Sequence, residues 1–589
     1  MITMKQNRTL WILATIMLVG SITMLTSCKH DSDDYVKKPY SVTDDDRLRY
    51  AEKKLGITID RQQDWTMSKQ YSIKVTADAD LENITQVSIL DGNPYVSVTN
   101  LLTSKSVTNN ETVTISFLAP AIADMFYAAC ITEDGECIAR PFIPGEDTSV
   151  SFDDALEPYE SASSRRAADS EPAFENDYII NSPFYSDYII KDFENLRDGV
   201  LRVLPDGKDN HKLIGAEDFR NVVEVRENPS ANYQLYLQFI YGDGSDEDNI
   251  WYNWYPNGKT ENAKKYLIKD KYKDKPVPKQ NLRKGKDILT GHNLYCRRDG
   301  KNDINFAPGD ILEFHLANGE TPMVDTGSHR RVKVFMFNGY VFVACEDGND
   351  WDYNDRIYLM PFGQNRIVKA EGIPVKPEPS TPQIWTYAWE DNTMEGDDRC
   401  DYDMNDCVLE VQEKADDPTM LQITIVALGA TRDVWLGFEN KNGKSYKDYT
   451  PVFNNLETGN DQELHALMKV NKGEMVNTGN GTRTVEPYTA FVKKPAGFDF
   501  QTCSFVLGAK VKENMRGVYE NDYYMLRIST AGTDPHGVVI PGKWQWPTER
   551  TSVKDAYSVK GHSFAEWAAD RTKAKDWYKY PVADKVVKR

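Results

Sequence analysis

The chain has 589 residues, which is too long for one ordinary hydrophobic core, so we expect about three domains. Its 90 acidic and 70 basic residues give a formal net charge of -20 at pH 7. This charge argues against nucleic acid as a partner and against charge-driven binding to anionic lipids, and it suits divalent cations.

The N-terminal segment has the pattern of a secretory signal. Lys5 and Arg8 precede an apolar stretch over residues 10–25. Residues 25–28, Leu-Thr-Ser-Cys, resemble the bacterial lipobox, in which the cysteine is acylated and becomes the first mature residue. A transmembrane anchor is the alternative, but the stretch is short and its C-terminal flank is acidic instead of basic. We therefore predict a signal peptide over residues 1–27 and lipidation at Cys28.

The residues after Cys28 indicate a cellular location. Asp31, Asp33 and Asp34 resemble the surface-export signal of lipoproteins in Bacteroides-like bacteria. That resemblance implies a protein that is anchored in outer-membrane lipid by its acyl chains, palmitate among them. It also implies that the protein is exposed on the outer face of the cell.

Residues 28–65 are predicted to be a tether that contains one short amphipathic helix. Thr43 or Asp44 caps the helix, and Gly56 ends it. Its apolar residues fall on one face, at Leu48, Ala51 and Leu55. We expect this face to pack on the segment that follows.

Residues 66–150 alternate apolar and polar positions in short runs separated by turn signals, which predicts a small β-sandwich. Within it, Cys130 and Cys137 flank a hairpin turn. They form either a disulfide across the hairpin or two unpaired strand residues. Residues 151–175 have almost no large apolar side chains and are predicted to be a linker.

A second β domain is predicted over residues 176–372, with a lysine-rich, exposed excursion at 264–286. Before the excursion lies an aromatic run that contains Trp251, Tyr252, Trp254 and Tyr255. Aromatic faces beside carboxylates are typical of a sugar-binding surface. The alternative is an ordinary strand whose alternate aromatic residues lie in the core.

A proline-rich connector over 373–382 leads to a third β domain over 383–589. Strands and helices do not alternate in the manner of a parallel α/β fold. The predicted fold class is therefore mainly β, with several β-sandwich or jelly-roll-like domains in series and few short helices.

The second and third domains each carry one acidic motif, in which a strand leads into Glu-Asp, then Asp-x-Asp-x-Asn-Asp, then another strand. The first copy has Glu346, Asp347, Asp350, Asp352, Asn354 and Asp355. The second copy has a longer gap and contains Glu390, Asp391, Asp401, Asp403, Asn405 and Asp406.

Carboxylates this close repel each other by about 1 kcal/mol per pair at a surface unless a positive charge lies among them. Calcium binds six to eight oxygens at about 2.3–2.6 Å, and the i, i+2, i+4 spacing aims alternate side chains at one point. The motif is not an EF-hand, because Asp355 and Asp406 replace its glycine and Pro361 and Gln412 replace its last glutamate. The alternative is an acidic turn whose side chains bind their own backbone. We predict structural calcium at both copies.

The acidic motif resembles the hallmark of the LruC-type domain of bacterial surface lipoproteins and of a related domain of unknown function. The runs 473–479 and 536–547, together with residues 554–557, resemble the ending of that family in Bacteroides-like organisms. The resemblance covers roughly residues 170–585. It implies a domain architecture and a surface location, and it leaves the activity undefined.

The sequence lacks common catalytic motifs, and its eight histidines are scattered singly. We therefore predict a non-enzymatic, calcium-stabilised surface lipoprotein that binds or adheres to a glycan or protein ligand. One alternative is a carbohydrate-active hydrolase with carboxylates near Trp251 and Trp254, although acids beside a metal stay ionised and a general acid needs a raised pKa. Another is a structural subunit of a surface appendage.

Overall fold

The computed structural model describes residues 43–152, 179–180, 184–210, 221–226, 233–242, 248–268, 286–298, 301–303, 305–318, 321–325, 329–360, 368–370, 376–391, 400–439, 449–453, 462–500, 505–510, 523–528 and 531–588. The predicted signal peptide, Cys28 and most of the predicted linker lie outside these residues. Within them the chain is built mainly of strands in several sheets, which confirms the predicted fold class. None of the helices in this part of the chain is both long and apolar enough to span a bilayer.

The N-terminal sandwich follows helix α1 (Asp44–Leu55). Its strands are β1 (Ser68–Thr76), β2 (Ile84–Leu90), β3 (Asn100–Ser106), β4 (Thr112–Pro120), β5 (Phe126–Thr132), β6 (Cys137–Phe142) and β7 (Ser149–Val150). One sheet has the order β4-β1-β7, and the facing sheet contains β3-β2-β5-β6. The alternation read from the sequence buries Ile73, Val75, Val113 and Ile115 between the sheets.

The two cysteines of this sandwich lie on opposite faces of one sheet. Cys130 is opposite Ile138 in the β5–β6 register, and Cys137 is opposite Ile131. Neighbouring residues of a strand point to opposite faces, so the two thiols are separated by the sheet. Cys130 packs in the main core and Cys137 in a second cluster with Leu90. The structure therefore excludes the disulfide and supports two unpaired strand cysteines.

The middle sandwich includes helix α2 (Phe193–Val203). Its strands are β8 (Ile179–Ile180), β9 (Phe184–Lys191), β10 (Val222–Val225), β11 (Tyr233–Gln234), β12 (Tyr236–Tyr241), β13 (Asp248–Tyr255), β14 (Lys264–Ile268), β15 (Lys286–Asn293), β16 (Cys296–Arg298), β17 (Lys301–Asp303), β18 (Asn305–Phe306), β19 (Ile311–Asn318), β20 (Thr321–Pro322), β21 (Val332–Phe337), β22 (Tyr340–Cys345), β23 (Arg356–Met360) and β24 (Val368–Lys369). The sheet β21-β22-β23-β12-β15-β9 packs on β24-β10-β19-β13-β14-β8. Helix α2 covers the outer face of the first sheet.

The C-terminal sandwich follows β25 (Thr381–Pro382). Its elements are β26 (Trp385–Trp389), β27 (Cys407–Lys414), β28 (Asp417–Ala427), β29 (Val434–Glu439), β30 (Tyr449–Pro451), α3 (Leu464–Leu467), β31 (Tyr488–Lys493), β32 (Phe505–Lys510), β33 (Tyr523–Leu526), β34 (Gly537–Pro541), α4 (Val553–Ala556), β35 (Ser558–Val559), β36 (His562–Ser563) and α5 (Phe564–Ala569). The sheet β34-β26-β27-β28-β31 packs with β30-β29-β32-β33 around one large core. Helix α5 ends at Ala569.

The sheets that carry the acidic motifs repeat one arrangement with a different chain order. The spatial order β21-β22-β23-β12-β15 in the middle sandwich corresponds to β34-β26-β27-β28-β31 in the C-terminal sandwich. A bulge falls at the same place in both, at Ile240 of β12 and Val426 of β28. The chain enters the common sheet at different strands, so the repeat is only partly visible in the sequence.

Helix α1 forms where it was predicted. Thr43 and Asp46 make a reciprocal capping box at its start, and Gly56, with φ 65°, ends it in the left-handed region. Its buried face of Leu48, Ala51 and Leu55 is also as predicted.

The expected packing partner of α1 is wrong. The helix and residues 57–67 join the core of the C-terminal sandwich instead of the N-terminal one. The Trp65 ring stacks on Phe564 with centroids 6.1 Å apart and meets Trp567 edge-on at 5.8 Å. Gln63 Nε2 donates to the Trp567 carbonyl at 2.8 Å. Helical periodicity identifies a buried face but contains no information about the surface that covers it.

The connector also docks on a neighbour. Strand β25 adds to the N-terminal sandwich by pairing in parallel with β3, with Thr381 opposite Asn100. Lys376 Nζ donates to the Asp134 carbonyl at 3.0 Å. The predicted extended conformation is thus used as an extra edge strand.

We predict that Trp65→Ala destabilises the C-terminal sandwich by about 3–5 kcal/mol, because it removes a fully buried ring from that core. Calorimetric unfolding of the full chain measures the change. The control is Phe491→Ala on β31 of the same sandwich, where the side chain is 53% exposed and the expected change is about 0.5 kcal/mol or less. Equal effects of the two substitutions would contradict the assignment of residues 57–67 to this core.

Candidate metal centres

Each acidic motif forms the loop between two adjacent antiparallel strands. The first acidic loop, residues 346–355, joins β22 to β23, and Cys345 lies opposite Arg356. The second acidic loop, residues 390–406, joins β26 to β27, and Trp389 lies opposite Cys407. Residues 392–399 of the second loop lie outside the described part of the chain. Both loops therefore occupy the same position in the common sheet.

The two loops share an unusual backbone. Trp351 and Tyr353 have φ of 61° and 63°, and Tyr402 and Met404 have φ of 54° and 52°. Large side chains rarely adopt this left-handed region, which costs of order 1–3 kcal/mol per residue unless the surroundings enforce it. The side chains of Tyr353, Tyr402 and Met404 are buried and anchor the loops in the cores. These anchors alternate along the chain with the acidic and amide residues of the motif.

Carboxylate oxygens converge at both loops. In the first loop, oxygens of Asp350 and Asp352 lie within 4.8 Å of each other and of Asp206, a residue remote in sequence. In the second loop, oxygens of Glu390, Asp401 and Asp403 lie within 4.8 Å of one another. Oxygens of Glu390, Asp391 and Asp406 form a second such group. All of these donors are oxygens, which hard divalent cations prefer. The structure thus brings together most of the predicted ligands.

Hydrogen bonds within each motif also stabilise the shape of its loop. Asp355 Oδ2 accepts from the Asp347 amide at 2.5 Å, and Asp406 Oδ2 accepts from the Asp391 amide at 2.6 Å. Asp352 Oδ1 also accepts from the Asn354 amide at 3.1 Å. The alternative of acidic side chains that bind their own backbone therefore describes part of each loop.

A segment that is remote in sequence contacts each loop, and the same set of hydrogen bonds joins segment and loop in both sandwiches. We call it the closing segment. The first closing segment is residues 204–210, and the second is residues 547–553. Asn354 Nδ2 donates to the Leu204 carbonyl at 3.3 Å, and Asn405 Nδ2 donates to the Pro547 carbonyl at 3.1 Å. Six residues after each of these carbonyls, an amide donates to the loop backbone at 2.8 Å: that of Asn210 to Trp351, and that of Val553 to Tyr402.

Burial makes the clusters electrostatically costly without a cation. It raises the pKa of Glu346 to about 8, with help from Asp355, and raises the pKa of Asp355 to about 6. In the second loop, burial and the neighbouring carboxylates raise the pKa of Asp403 and of Asp406 well above the usual range. The side chain of Glu346 is fully buried, and its Oε1 accepts no hydrogen bond from the residues that the structure describes. A divalent cation at that oxygen would supply the missing interaction.

Basic side chains compensate these charges only in part. Arg432 Nε lies 3.4 Å from Asp391 Oδ2, and both side chains are buried. Arg331 donates to the carbonyls of Glu346 and Gly348, at 3.2 and 2.8 Å, so it supports the loop backbone rather than a carboxylate. Arg432 therefore partly neutralises the cluster of Glu390, Asp391 and Asp406, and Arg550 and Lys54 act in the same way on Asp401 of the other cluster.

Sequence reasoning missed the residues of the closing segments, Asp206 and Glu549. Each precedes a residue in the left-handed region, Gly207 with φ 65° and Arg550 with φ 63°. Short turn motifs of this kind are common, and neither segment is near its loop in the sequence. The acid that precedes a turn was the only available signal, and it does not identify a partner loop.

The predicted aromatic ligand surface is divided between the two faces of β13. Tyr252 and Trp254 are buried in the core of the middle sandwich, as in the ordinary-strand interpretation. Trp251 and Tyr255 lie on the other face and are partly exposed. The Trp251 ring stacks on His315 with centroids 4.1 Å apart, and the Tyr255 hydroxyl donates to Glu313 at 2.5 Å. A ligand at this strand can therefore reach Trp251 and Tyr255, but it cannot reach Tyr252 and Trp254.

Neither the protein-family models, nor the curated proteins, nor the solved structures that were compared with this chain match it. The resemblance to the LruC-type domain stays a prediction.

We predict that the metal-free protein loses stability as the pH rises from about 4 to about 8. The folded-state pKa values of Glu346 and Asp355 lie above their ordinary values of 4.5 and 3.8, so folding is favoured while these groups are protonated. That contribution is present below the ordinary values and is lost as the pH passes through about 6 and then about 8. Thermal unfolding of chelator-treated protein measures it.

The matched variant for this test is Glu346→Gln, which removes one titrating group and should flatten the fall with pH. Saturating calcium should also remove the fall, because a bound cation stabilises the ionised carboxylates. A metal-free melting temperature that rises over the same interval would contradict the electrostatic account of the first loop.

Proposed function

We propose that this protein is a calcium-stabilised, lipid-anchored protein of the outer-membrane surface that binds extracellular glycans or proteins. The observation that carries the proposal is the pair of carboxylate clusters built to one plan in two sandwiches. Both clusters lie in loops with strained backbones and buried carboxylates, which are costs that a bound cation offsets. The oxygen-only donor set favours calcium over zinc.

The lipid anchor rests on the residues around Cys28, and the surface location rests on the acidic residues after it. Calcium is a suitable structural ion for such a location, because extracellular modules bind it with dissociation constants of about 10⁻⁴–10⁻³ M. In this account the ion stabilises the loops and takes no part in chemistry.

A polar cleft in the C-terminal sandwich is a suitable place for the ligand. It has a volume of about 660 Å³ and is lined by Glu474, Asn480, Thr482, Arg483 and Arg550 among others. Charged groups of both signs, an amide and a hydroxyl provide the donors and acceptors that a sugar or a polar peptide requires. The cleft adjoins the second closing segment, so it is supported by the second acidic loop.

The hydrolase alternative is less well supported. Near Trp251 the carboxylate of Glu313 interacts with His315 and Tyr255, and these contacts hold its pKa at about 2. A general acid for glycoside cleavage needs the opposite shift. This favours binding without turnover.

We predict that Asp403→Asn and Asp352→Asn each reduce the stabilisation that calcium provides. At a free calcium concentration of 100 times the dissociation constant, one site contributes about 2.7 kcal/mol. Removing one carboxylate should lower the melting temperature in calcium by several degrees and have a much smaller effect after chelation. Asp416→Asn, on an exposed turn, is the control and should behave as wild type in both conditions. Equal losses with and without calcium would refute the metal role of that loop.

For the ligand we predict that a panel of glycans and extracellular proteins contains members that bind without release of products. Arg483→Ala should weaken that binding about 10- to 100-fold, because a hydrogen bond from a charged group contributes roughly 1.5–3 kcal/mol. Arg49→Ala, on the exposed face of α1, is the control. Release of sugars from the panel would favour the hydrolase, and an unchanged affinity of Arg483→Ala would exclude the cleft.

A further inference from the structure

We propose that each cation site is completed by a carboxylate from the closing segment, Asp206 at the first loop and Glu549 at the second. The bound cation then joins two parts of the chain that are remote in sequence. This inference rests on the proposed calcium binding and adds to it the ligands that the motif itself does not contain.

The two carboxylates occupy equivalent positions. Asp206 is two residues after the Leu204 carbonyl that accepts from Asn354, and Glu549 is two residues after the Pro547 carbonyl that accepts from Asn405. The next amide in each segment donates to the middle aspartate of the loop. Gly207 donates to Asp352 Oδ2 at 2.8 Å, and Arg550 donates to Asp403 Oδ2 at 2.8 Å. The closing segments thus reach the loops in the same register.

The equivalent positions define a set of four carboxylates at each loop. At the first loop the set is Glu346, Asp350, Asp352 and Asp206. At the second loop it is Glu390, Asp401, Asp403 and Glu549. In each loop three of the four have oxygens within 4.8 Å of one another. The fourth, Glu346 or Glu549, interacts electrostatically with the two aspartates of its own loop.

Buried oxygens that have no hydrogen-bond partner in the described part of the chain indicate that these sets bind a ligand. Glu346 Oε1 is one, on a side chain that is fully buried, and Glu549 Oε2 is another. Gly348 keeps the space beside Glu346 open, because a Cβ on it would lie 3.1 Å from Glu346 Oε1 and 3.4 Å from Asp350 Oδ1. A cation between these oxygens satisfies them at once, whereas four carboxylates alone repel one another.

The closing segments also form walls of clefts. Glu549, Arg550 and Thr551 line the 660 Å³ cleft of the C-terminal sandwich. Pro205, Lys208 and Asp209 line a cleft of about 380 Å³ beside the middle sandwich. A cation that holds a closing segment against its loop therefore also fixes the wall of a cleft. Without the cation, that wall is held by hydrogen bonds to the loop and by a buried side chain of the segment, Leu204 or Val553.

The test is calorimetric titration of the full mature chain with calcium. We expect wild type to bind two ions, and Glu549→Gln and Asp206→Asn each to weaken one of the two sites at least about 10-fold. The matched controls are Glu474→Gln and Asp209→Asn, which change a carboxylate in the same clefts and should leave both affinities unchanged. The melting temperature of each variant in chelator shows whether it is folded. Glu549→Gln should have a melting temperature in chelator no lower than that of wild type, because the substitution removes a repelling charge.

The outcomes separate the two proposals. If wild type binds two ions and both variants bind them with wild-type affinity, the closing segments supply no ligands and this inference is overturned while calcium binding stands. If wild type takes up no divalent ion, both proposals fail together.

Hydrogen exchange gives a second readout that a merely structural role of Glu549 would not produce. Chelation should accelerate exchange at the amides of Arg550 and Val553, which donate to the second loop, and Glu549→Gln should show the faster exchange even in calcium. If these amides exchange at the same rate in calcium and in chelator, the cation is not coupled to the closing segment and the inference is overturned.

Discussion

Carboxylates removed from water are the constraint on which the two acidic loops depend. Burial of an ionised carboxylate costs several kcal/mol unless it is paired or binds a cation. The second loop places several buried carboxylates together, and the first loop contains the buried Glu346 and Asp352 beside the exposed Asp350. The left-handed residues Trp351, Tyr353, Tyr402 and Met404 add backbone strain. Tertiary packing enforces the strained backbone, because the side chains of Tyr353, Tyr402 and Met404 are buried in the sandwich cores. The surrounding β structure thus acts as a rigid frame for oxygen atoms.

The position of each acidic loop depends on the spatial arrangement of the strands around it and not on their order along the chain. In both sandwiches the loop joins two central strands, the bulge lies on the next strand, and the closing segment contacts the same atoms of the loop. The first closing segment precedes its loop in sequence and the second follows its loop. A cation site that spans remote segments stabilises against unfolding of the whole sandwich, because separating the segments removes ligands. This explains why the same plan can recur with a different chain order.

The parts of the fold that were predictable are those set by local sequence. Alternation indicated the strands, the capping residues placed α1, and the doubled motif identified the loops. The predicted packing partner of α1 was wrong, because the periodicity of Leu48, Ala51 and Leu55 identifies a buried face but not the surface that covers it. Asp206 and Glu549 were missed because only folding brings them to the loops. In the aromatic run, strand alternation separates Tyr252 and Trp254 from Trp251 and Tyr255, and the sequence alone does not say which pair faces the core.

The position of α1 also affects how an anchored molecule would be held at a membrane. Because α1 and residues 57–67 belong to the core of the C-terminal sandwich, a tether that begins at Cys28 leads first to that sandwich. The fifteen residues from 28 to 42 span at most about 50 Å when fully extended. Lys54, in the last turn of α1, interacts electrostatically with Asp401 of the second acidic loop. Calcium at that loop would therefore stabilise the sandwich that connects the anchor to the rest of the protein.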